Sequence, residues 1–249
     1  NGSSLPLWRI KEDVDILKSL GCNMARISHT PLPKEYLDYL DEVGIMTFEE
    51  VSLWGKDAMV DPEHPLPKYW LQKMIRVKYN HPSVIGWSVG NEIGYLNVNP
   101  KVMEYVEGAI KESKSLDPTR LAVYVSHSAH RQEIDPVRFS DIILYNIYGD
   151  WGENVERVHA LHPGKPIFML EYGNHLNSEN PDEAHIDADF MIDQFRGKSY
   201  MAGISLWTFN DYRSFWKSRP TWTTPPSQNR TWGVVTVFRK PKKPFYDFK

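Results

Sequence analysis

Seven short apolar runs, each ending on polar or charged residues and each separated from the next by a helical pattern, constrain this 249-residue chain more than any other feature. The segment "WRIKEDVDILKSL" (8–20) places Ile10, Val14, Leu17 and Leu20 at helical spacing and stops on Gly21. "NMARIS" (23–28) then reads as a strand, "KEYLDYLDEVG" (34–44) as a second amphipathic helix closed by glycine, and "IMTFEE" (45–50) as the next strand. The unit recurs: further helices are expected at 67–80, 100–116, 152–161 and 183–200, and further strands at 84–89, 121–126, 142–147, 166–171 and 203–209. No Pro/Gly/Ser-rich linker divides the chain.

Short apolar strands separated by helices imply parallel pairing with both faces covered. An open doubly wound sheet would carry a Gly-rich phosphate loop after its first strand, and none is present. In a closed (β/α)8 TIM barrel, polar residues gather at the C-terminal ends of the strands, where the βα loops build the active site. The strand ends here read Arg26 with His29, Glu49-Glu50, Asn91-Glu92, His127, Asn146 with Tyr148, Glu171-Tyr172, and Trp207 with Asn210-Asp211. Seven strands are one short of eight and the chain opens on a helix, so the first strand is expected outside this segment. The stretch 212–233 reads as a long loop roofing the site, and 240–249 as a closing helix or tail.

Composition narrows the partners. With 29 basic and 32 acidic residues spread along the chain, nothing favours nucleic acid or an anionic membrane surface, and no run of eighteen apolar residues suggests a membrane span. The single cysteine, Cys22, forms no internal disulfide and reads as a buried structural thiol. It says little about compartment, and a periplasmic or secreted location is set slightly ahead of a cytoplasmic one. Nine Trp, 13 Tyr and 10 Phe suit carbohydrate, whose C–H faces stack on aromatic rings, although most such rings are core.

Two carboxylates are the chemical centre. Glu92 and Glu171 end the fourth and seventh strands in barrel numbering, each after a rigid apolar run. Retaining hydrolysis of a glycosidic bond needs one carboxyl as proton donor and a second as nucleophile about 5–5.5 Å away, whereas an inverting pair stands about 6.5–9.5 Å apart. An isolated Glu is by default an ion-pair partner, but that reading does not explain two at the mouth ends of buried strands.

"RISHTPLPKEYLDYLDEVGIMTFEE", "NHPSVIGWSVGNE", "KPIFMLEYG", "SLWTFND" and "RTWGVVTVFRKPKKPFYDF" together resemble the catalytic barrel of glycoside hydrolase family 2, which includes β-galactosidases, β-glucuronidases and β-mannosidases. Family members carry β-sandwich domains before the barrel, so the resemblance implies that residues 1–249 are a single catalytic barrel domain of a longer protein, with its first strand upstream. It further implies a retaining, exo-acting β-glycosidase with Glu92 as general acid/base, Glu171 as nucleophile and Asn91 on the sugar 2-hydroxyl. Arg26 would assist the nucleophile and Tyr148 hydrogen-bond it. Trp207 would floor the subsite and His29 line it, with Asn210 beside them.

No metal or other cofactor is expected. Neither "SHSAH" (126–130) nor "VHALH" (158–162) brings a third zinc ligand, and "FEEVSLWGKDAM" lacks the histidine with which some family β-galactosidases bind magnesium. The Asn-x-Lys pair by which family β-glucuronidases hold the sugar carboxylate is replaced by "NRTWGVV", which offers Arg230 and Trp232. Arg213, Arg219 and Arg230 lie in the roofing loop, where a guanidinium fork suits carboxylate or sulfate and a solvated basic rim is the plainer reading. Among neutral sugars, β-galactose is the first expectation on family frequency, with β-glucuronide or another acidic sugar as the alternative. A carbohydrate-binding barrel without catalysis is the rival from a different class; it would need neither glutamate.

Overall fold

The computed structural model describes residues 5–55, 58, 60–94, 99–131, 134–173, 188–214 and 228–249. Six parallel strands form one sheet in chain order: β1 (Thr47–Glu50), β2 (Val84–Asn91), β3 (Leu121–Ser126), β4 (Ile143–Asn146), β5 (Ile167–Tyr172) and β6 (Met201–Leu206). The sheet curls into part of a (β/α)8 barrel. Helices α1 (Leu7–Ser19) and α2 (Lys34–Val43) precede β1; α3 (Pro65–Lys78), α4 (Pro100–Leu116), α5 (Trp151–Leu161) and α6 (Ala188–Asp193) lie between strands, and α7 (Lys243–Asp247) follows. A short antiparallel pair, β7 (Tyr212–Arg213) with β8 (Asn229–Arg230), stands after β6.

Local chemistry sets the helix ends. Asn99 caps α4 by accepting a hydrogen bond from Val102 N at 3.1 Å, with Pro100 as the first helical residue; His64 caps α3 in the same way ahead of Pro65. Gly44, at φ +70°, ends α2 in the left-handed conformation that glycine tolerates best.

Alternation along the strands makes two apolar layers. Trp87, Val89, Tyr124, Tyr145 and Met169 face outward and pack with Leu37, Leu40, Leu71, Ile75, Val106 and Val155 of the helices. Phe48, Val123, Val125, Leu144, Phe168 and Leu170 point inward and fill the barrel. There Phe48 and Phe168 meet edge to face at 6.3 Å. Gly86 and Gly203 make room for them: a Cβ at these positions would stand 2.8 Å from Phe48 and 2.4 Å from Phe168. The C-terminal tail is tied back by Arg239, which holds Asp13 of α1 through two 2.6 Å hydrogen bonds, and by Lys242, 2.9 Å from Asp211.

Two strands differ from expectation. The run 23–28 forms only a parallel bridge, Met24 with Met46, and two backbone hydrogen bonds to the segment leading into β1. Among the described residues it has ladder partners on one side only, so beyond Ala25 the chain leaves the ladder and Arg26 and His29 project from a loop. β6 runs from Met201 to Leu206 rather than 203–209, because its partner β5 stops at Tyr172, whose carbonyl accepts the last ladder bond from Trp207 N at 2.7 Å. Residues 183–187 of the expected sixth helix, and residues 215–227 of the roofing loop with Arg219, lie outside the described residues. No described helix is long and apolar enough to cross a membrane.

Candidate active site

At the mouth of the barrel, β2 ends by breaking its own pattern. Strict alternation would send Asn91 to the helix side with Val89, but the β2–β3 register shifts between Ser88 and Asn91. Gly90, at φ +151°, permits the shift; a Cβ there would stand 2.5 Å from Ile93 Cδ1. Glu92 follows at φ +50°, uncommon for a residue with a side chain, and its N–H is fixed on Val125 O at 2.9 Å. Similar shifts occur between Tyr145 and Asn146 in the β4–β5 pairing and between Met169 and Tyr172 in the β5–β6 pairing. Each sits where a polar side chain must be re-aimed, which is what bulges beside active sites do.

These devices bring Glu92, Glu171, Asn91, Arg26, His29 and Tyr148 into one hydrogen-bonded cluster. Arg26 is its hub. Nη1 donates to Glu171 Oε1 at 2.5 Å, while Nη2 donates to Glu50 at 2.9 and 3.1 Å and to Asn91 Oδ1 at 2.9 Å. Tyr148 OH donates to the other Glu171 oxygen at 2.9 Å. Asn146 Nδ2 donates to Glu92 Oε1 at 2.8 Å and to Asn91 Oδ1 at 3.1 Å. His29 Nδ1 lies 2.9 Å from Glu50 Oε1.

The charges are arranged unequally. Burial, reinforced by the Glu171 carboxylate, pushes the Glu92 carboxyl up to about 7, against the opposing hydrogen bond from Asn146. Burial also works against ionised Glu50, but Arg26 and His29 overcome it and hold that carboxyl at about 2. For Arg26 burial opposes the charge, and Glu50 and Glu171 more than restore it. Tyr148 is held well above the usual phenol range by burial and by both glutamates, so it is a standing donor.

Around this cluster runs an aromatic rim. His29 stacks between Trp54 at 5.1 Å and Trp207 at 6.0 Å. Trp207 Nε1 donates to Tyr212 OH at 3.3 Å, and Arg230 Nη1 donates to the same hydroxyl at 3.1 Å. The Arg230 guanidinium lies 4.5 Å over the Trp232 ring. Arg213 is exposed and bonds Gln228 Oε1 at 3.1 Å, while Asn210 turns its amide back onto Asp211 O at 2.6 Å. The structure therefore places these two outside the glutamate cluster.

The strand-end residues do not all reach the mouth. Glu49 lies on the outer face, held by Lys78 and accepting from Leu32 N; Tyr172 packs on Phe195 outside the barrel; Asp211 serves Lys242 and Gly233 N. Burial, with Arg131 and His130 nearby, brings His127 down to about 4. Sequence reasoning assigned no role to Glu50, Asn146, Tyr212 or Trp54. Period two separates Glu50 from Glu49, since Glu50 shares the inward face with Phe48. The cis peptide bonds Ser28–His29 and Trp207–Thr208 border the same rim.

For metals, Asp38, Asp41 and His81 bring ligand-type atoms within 4.8 Å of one another at the opposite end of the barrel. All three are already engaged: Asp38 with Lys34, and Asp41 with both Ser83 N and His81 Nδ1.

A β-glucuronidase from Sus scrofa is 26% identical over 231 residues, covering 81% of this chain and 34% of its own length. One from Bacteroides fragilis is 29% identical over 187 residues, covering 69% and 26%. The chain thus spans about a quarter to a third of the length of these relatives. A crystal structure of a β-galacturonidase from Eisenbergiella tayi bound to galacturonate superposes with a TM-score of 0.81 at 23% identity, over 98% of this chain and 47% of that one. Over residues 1–211 the sequence matches the glycosyl hydrolases family 2, TIM barrel domain, and the chain belongs to that family.

Proposed function

We propose that this domain carries the catalytic machinery of a retaining, exo-acting β-glycosidase whose substrate is a β-linked uronic acid. The observation that carries the reading is the unequal treatment of two carboxyls at one mouth: Glu171 takes hydrogen bonds from Arg26 and Tyr148, while Glu92 is pushed up to about 7. A group poised near neutrality suits proton transfer, and one gripped by donors suits a nucleophile.

Glu171 attacks the anomeric carbon as Glu92 delivers its proton to the leaving oxygen, giving a glycosyl ester on Glu171 and a free aglycone. The ester carries no charge, so one cause of the raised Glu92 pKa disappears and Glu92 becomes the base that takes a proton from water. Water then cleaves the ester, and Glu171 returns as carboxylate. Asn91 Oδ1 is used twice as an acceptor, by Arg26 and Asn146, which orients its Nδ2 to donate to the sugar 2-hydroxyl. Asn146 Oδ1 is buried and has no partner among the described residues, an acceptor that a substrate hydroxyl would satisfy.

A uronic acid displaces galactose, the first expectation from sequence, as the preferred sugar. The curated relatives named above are β-glucuronidases, and Arg230 stands 7% exposed on the rim, bonded to Tyr212 and stacked on Trp232. A guanidinium presented this way matches the planar fork of a carboxylate.

The test is the intact mass of the full-length protein after incubation with 2-deoxy-2-fluoro-β-glucuronyl and β-galactosyl fluorides, followed by peptide mapping, with Glu171→Gln as control. A glucuronyl adduct on Glu171 is expected. An adduct on another residue sinks the nucleophile assignment, and a galactosyl adduct alone sinks the choice of sugar.

A further inference from the structure

Trp54 takes no part in the glutamate cluster, yet it is fixed beside it and half its surface is open, at 50% exposure. Its backbone continues β1 along the tip of β2: Trp54 bridges Asn91 in parallel, Asn91 N donates to Leu53 O at 2.9 Å, and Gly55 N donates to Asn91 O at 3.0 Å. Leu53, the residue before it, is 3% exposed and anchored in the core. A tryptophan whose backbone is held by these two hydrogen bonds and whose side chain is left half open has a geometry that packing alone does not require.

Its ring belongs to a row. Trp54, His29 and Trp207 lie nearly parallel, with interplanar angles of 18° and 22°. The two ends of the row belong to different strands. Trp207 N is bonded to Tyr172 O, next to Glu171, whereas Trp54 pairs with Asn91, next to Glu92. The row therefore runs from the nucleophile strand to the acid strand. In the reaction proposed above, the acid faces the leaving oxygen, so whatever hangs from that oxygen extends past the Glu92 end.

We propose that Trp54 is the platform of a leaving-group subsite, and that it takes a flat six-membered ring with an apolar face. Two sources share this chemistry: the aromatic ring of an aryl glycoside, and the C–H face of a second sugar. This inference rests on the glycosidase reading of the Glu92–Glu171 pair and adds what lies beyond the scissile bond.

The experiment compares the intact enzyme with its Trp54→Ala and Trp54→Phe variants on three β-glucuronides: the fluoride, whose leaving group has no ring; phenyl β-glucuronide; and a glucuronyl disaccharide. The variant-to-wild-type ratio of kcat/KM is read for each substrate, which cancels differences in leaving-group reactivity. Loss of one stacked ring predicts a fall of about five- to tenfold for a ring-bearing substrate in Trp54→Ala. The fluoride should hold within about twofold, and Trp54→Phe should recover most of the loss. Whichever ring-bearing substrate falls identifies the source. An equal fall on all three substrates overturns the proposal, because it would make Trp54 a brace for His29; so does no fall on either ring-bearing substrate. If the wild-type enzyme turns over no β-fluoride of glucuronic acid, galacturonic acid or galactose, the glycosidase reading itself fails, and the platform fails with it.

Discussion

Asn146 donates to Glu92 at 2.8 Å from the same amide nitrogen that donates to Asn91 at 3.1 Å, so one side chain of β4 fixes both polar residues at the tip of β2. A hydrogen bond to a carboxylate favours its ionised form, and this one works against the burial that raises Glu92. Removing it in Asn146→Ala should raise the Glu92 pKa further above about 7. In the proposed reaction Glu92 must be protonated to act as the acid, so the alkaline limb of kcat/KM is expected to move to higher pH. The measurement is the pH–rate profile of both proteins on one substrate. A limb that moves to lower pH contradicts the assignment of Glu92 as acid.

Glu92 and Glu50 make stability depend on pH in opposite directions. Folded Glu92 keeps its proton to about 7, above the unfolded value of about 4.3, so its contribution is complete below the unfolded value and is lost as pH rises towards 7. Glu50, held at about 2, contributes above the unfolded value and loses that contribution as the solution is acidified towards 2. Glu92→Gln should therefore gain stability relative to wild type between pH 5 and 7.5. Glu50→Gln should be destabilised most above pH 5 and least near pH 2. Urea midpoints at the three pH values check both signs.

Much of this architecture is legible in the sequence, and the exceptions share a cause. Helix patterns such as Ile10, Val14 and Leu17, and glycine stops such as Gly44, depend on neighbours within a few residues, and the first five helices expected from them appear with ends shifted by at most two residues, whereas the sixth, expected to reach 200, ends at Asp193. Strand runs give existence but not length, because a ladder ends where its partner ends, as β6 does at Tyr172. The direction of a strand-end side chain is harder still. Glu49 and Glu50 are separated by simple alternation, but Asn91 and Glu171 reach the mouth only through register shifts, which no period-two pattern announces. Asn146 is visible as a strand-end residue but its bonds to Asn91 and Glu92 are not, and Trp54 acquires its place by pairing with a strand distant in sequence, so nothing in its local context marks it.

The interior of the barrel offers a test that involves no catalytic residue. Gly203 faces Phe168, whose Cε2 would lie 2.4 Å from an added Cβ, and the ring also meets Phe48 edge to face at 6.3 Å. So close an approach forces the ring to shift, and Gly203→Ala should cost about 1–3 kcal/mol. For a domain of this size that lowers Tm by about 3–10 °C. Adding Phe168→Leu to the variant removes the clashing ring edge, so part of the loss should return in the double mutant. A thermal melt unchanged by Gly203→Ala would show that Phe168 has another rotamer available.

Under the uronic-acid reading proposed above, Arg230 offers the sharpest test between an acidic and a neutral sugar. Its guanidinium is tethered to Tyr212, and Tyr212 also accepts from Trp207. A charge-assisted contact to a carboxylate is worth about 1.5–3 kcal/mol, or roughly ten- to a hundredfold in kcat/KM. Arg230→Gln keeps an amide donor on a shorter side chain and removes the charge, so it should lose that factor on an aryl β-glucuronide. On the matching β-galactoside, whose 6-hydroxyl needs no cation, the rate should change by less than about threefold. The ratio of the two rates is the quantity to measure, since a general disturbance of the rim would lower both together. If both fall equally, Arg230 holds Tyr212 and Trp232 in place, and the carboxylate must be read by another residue.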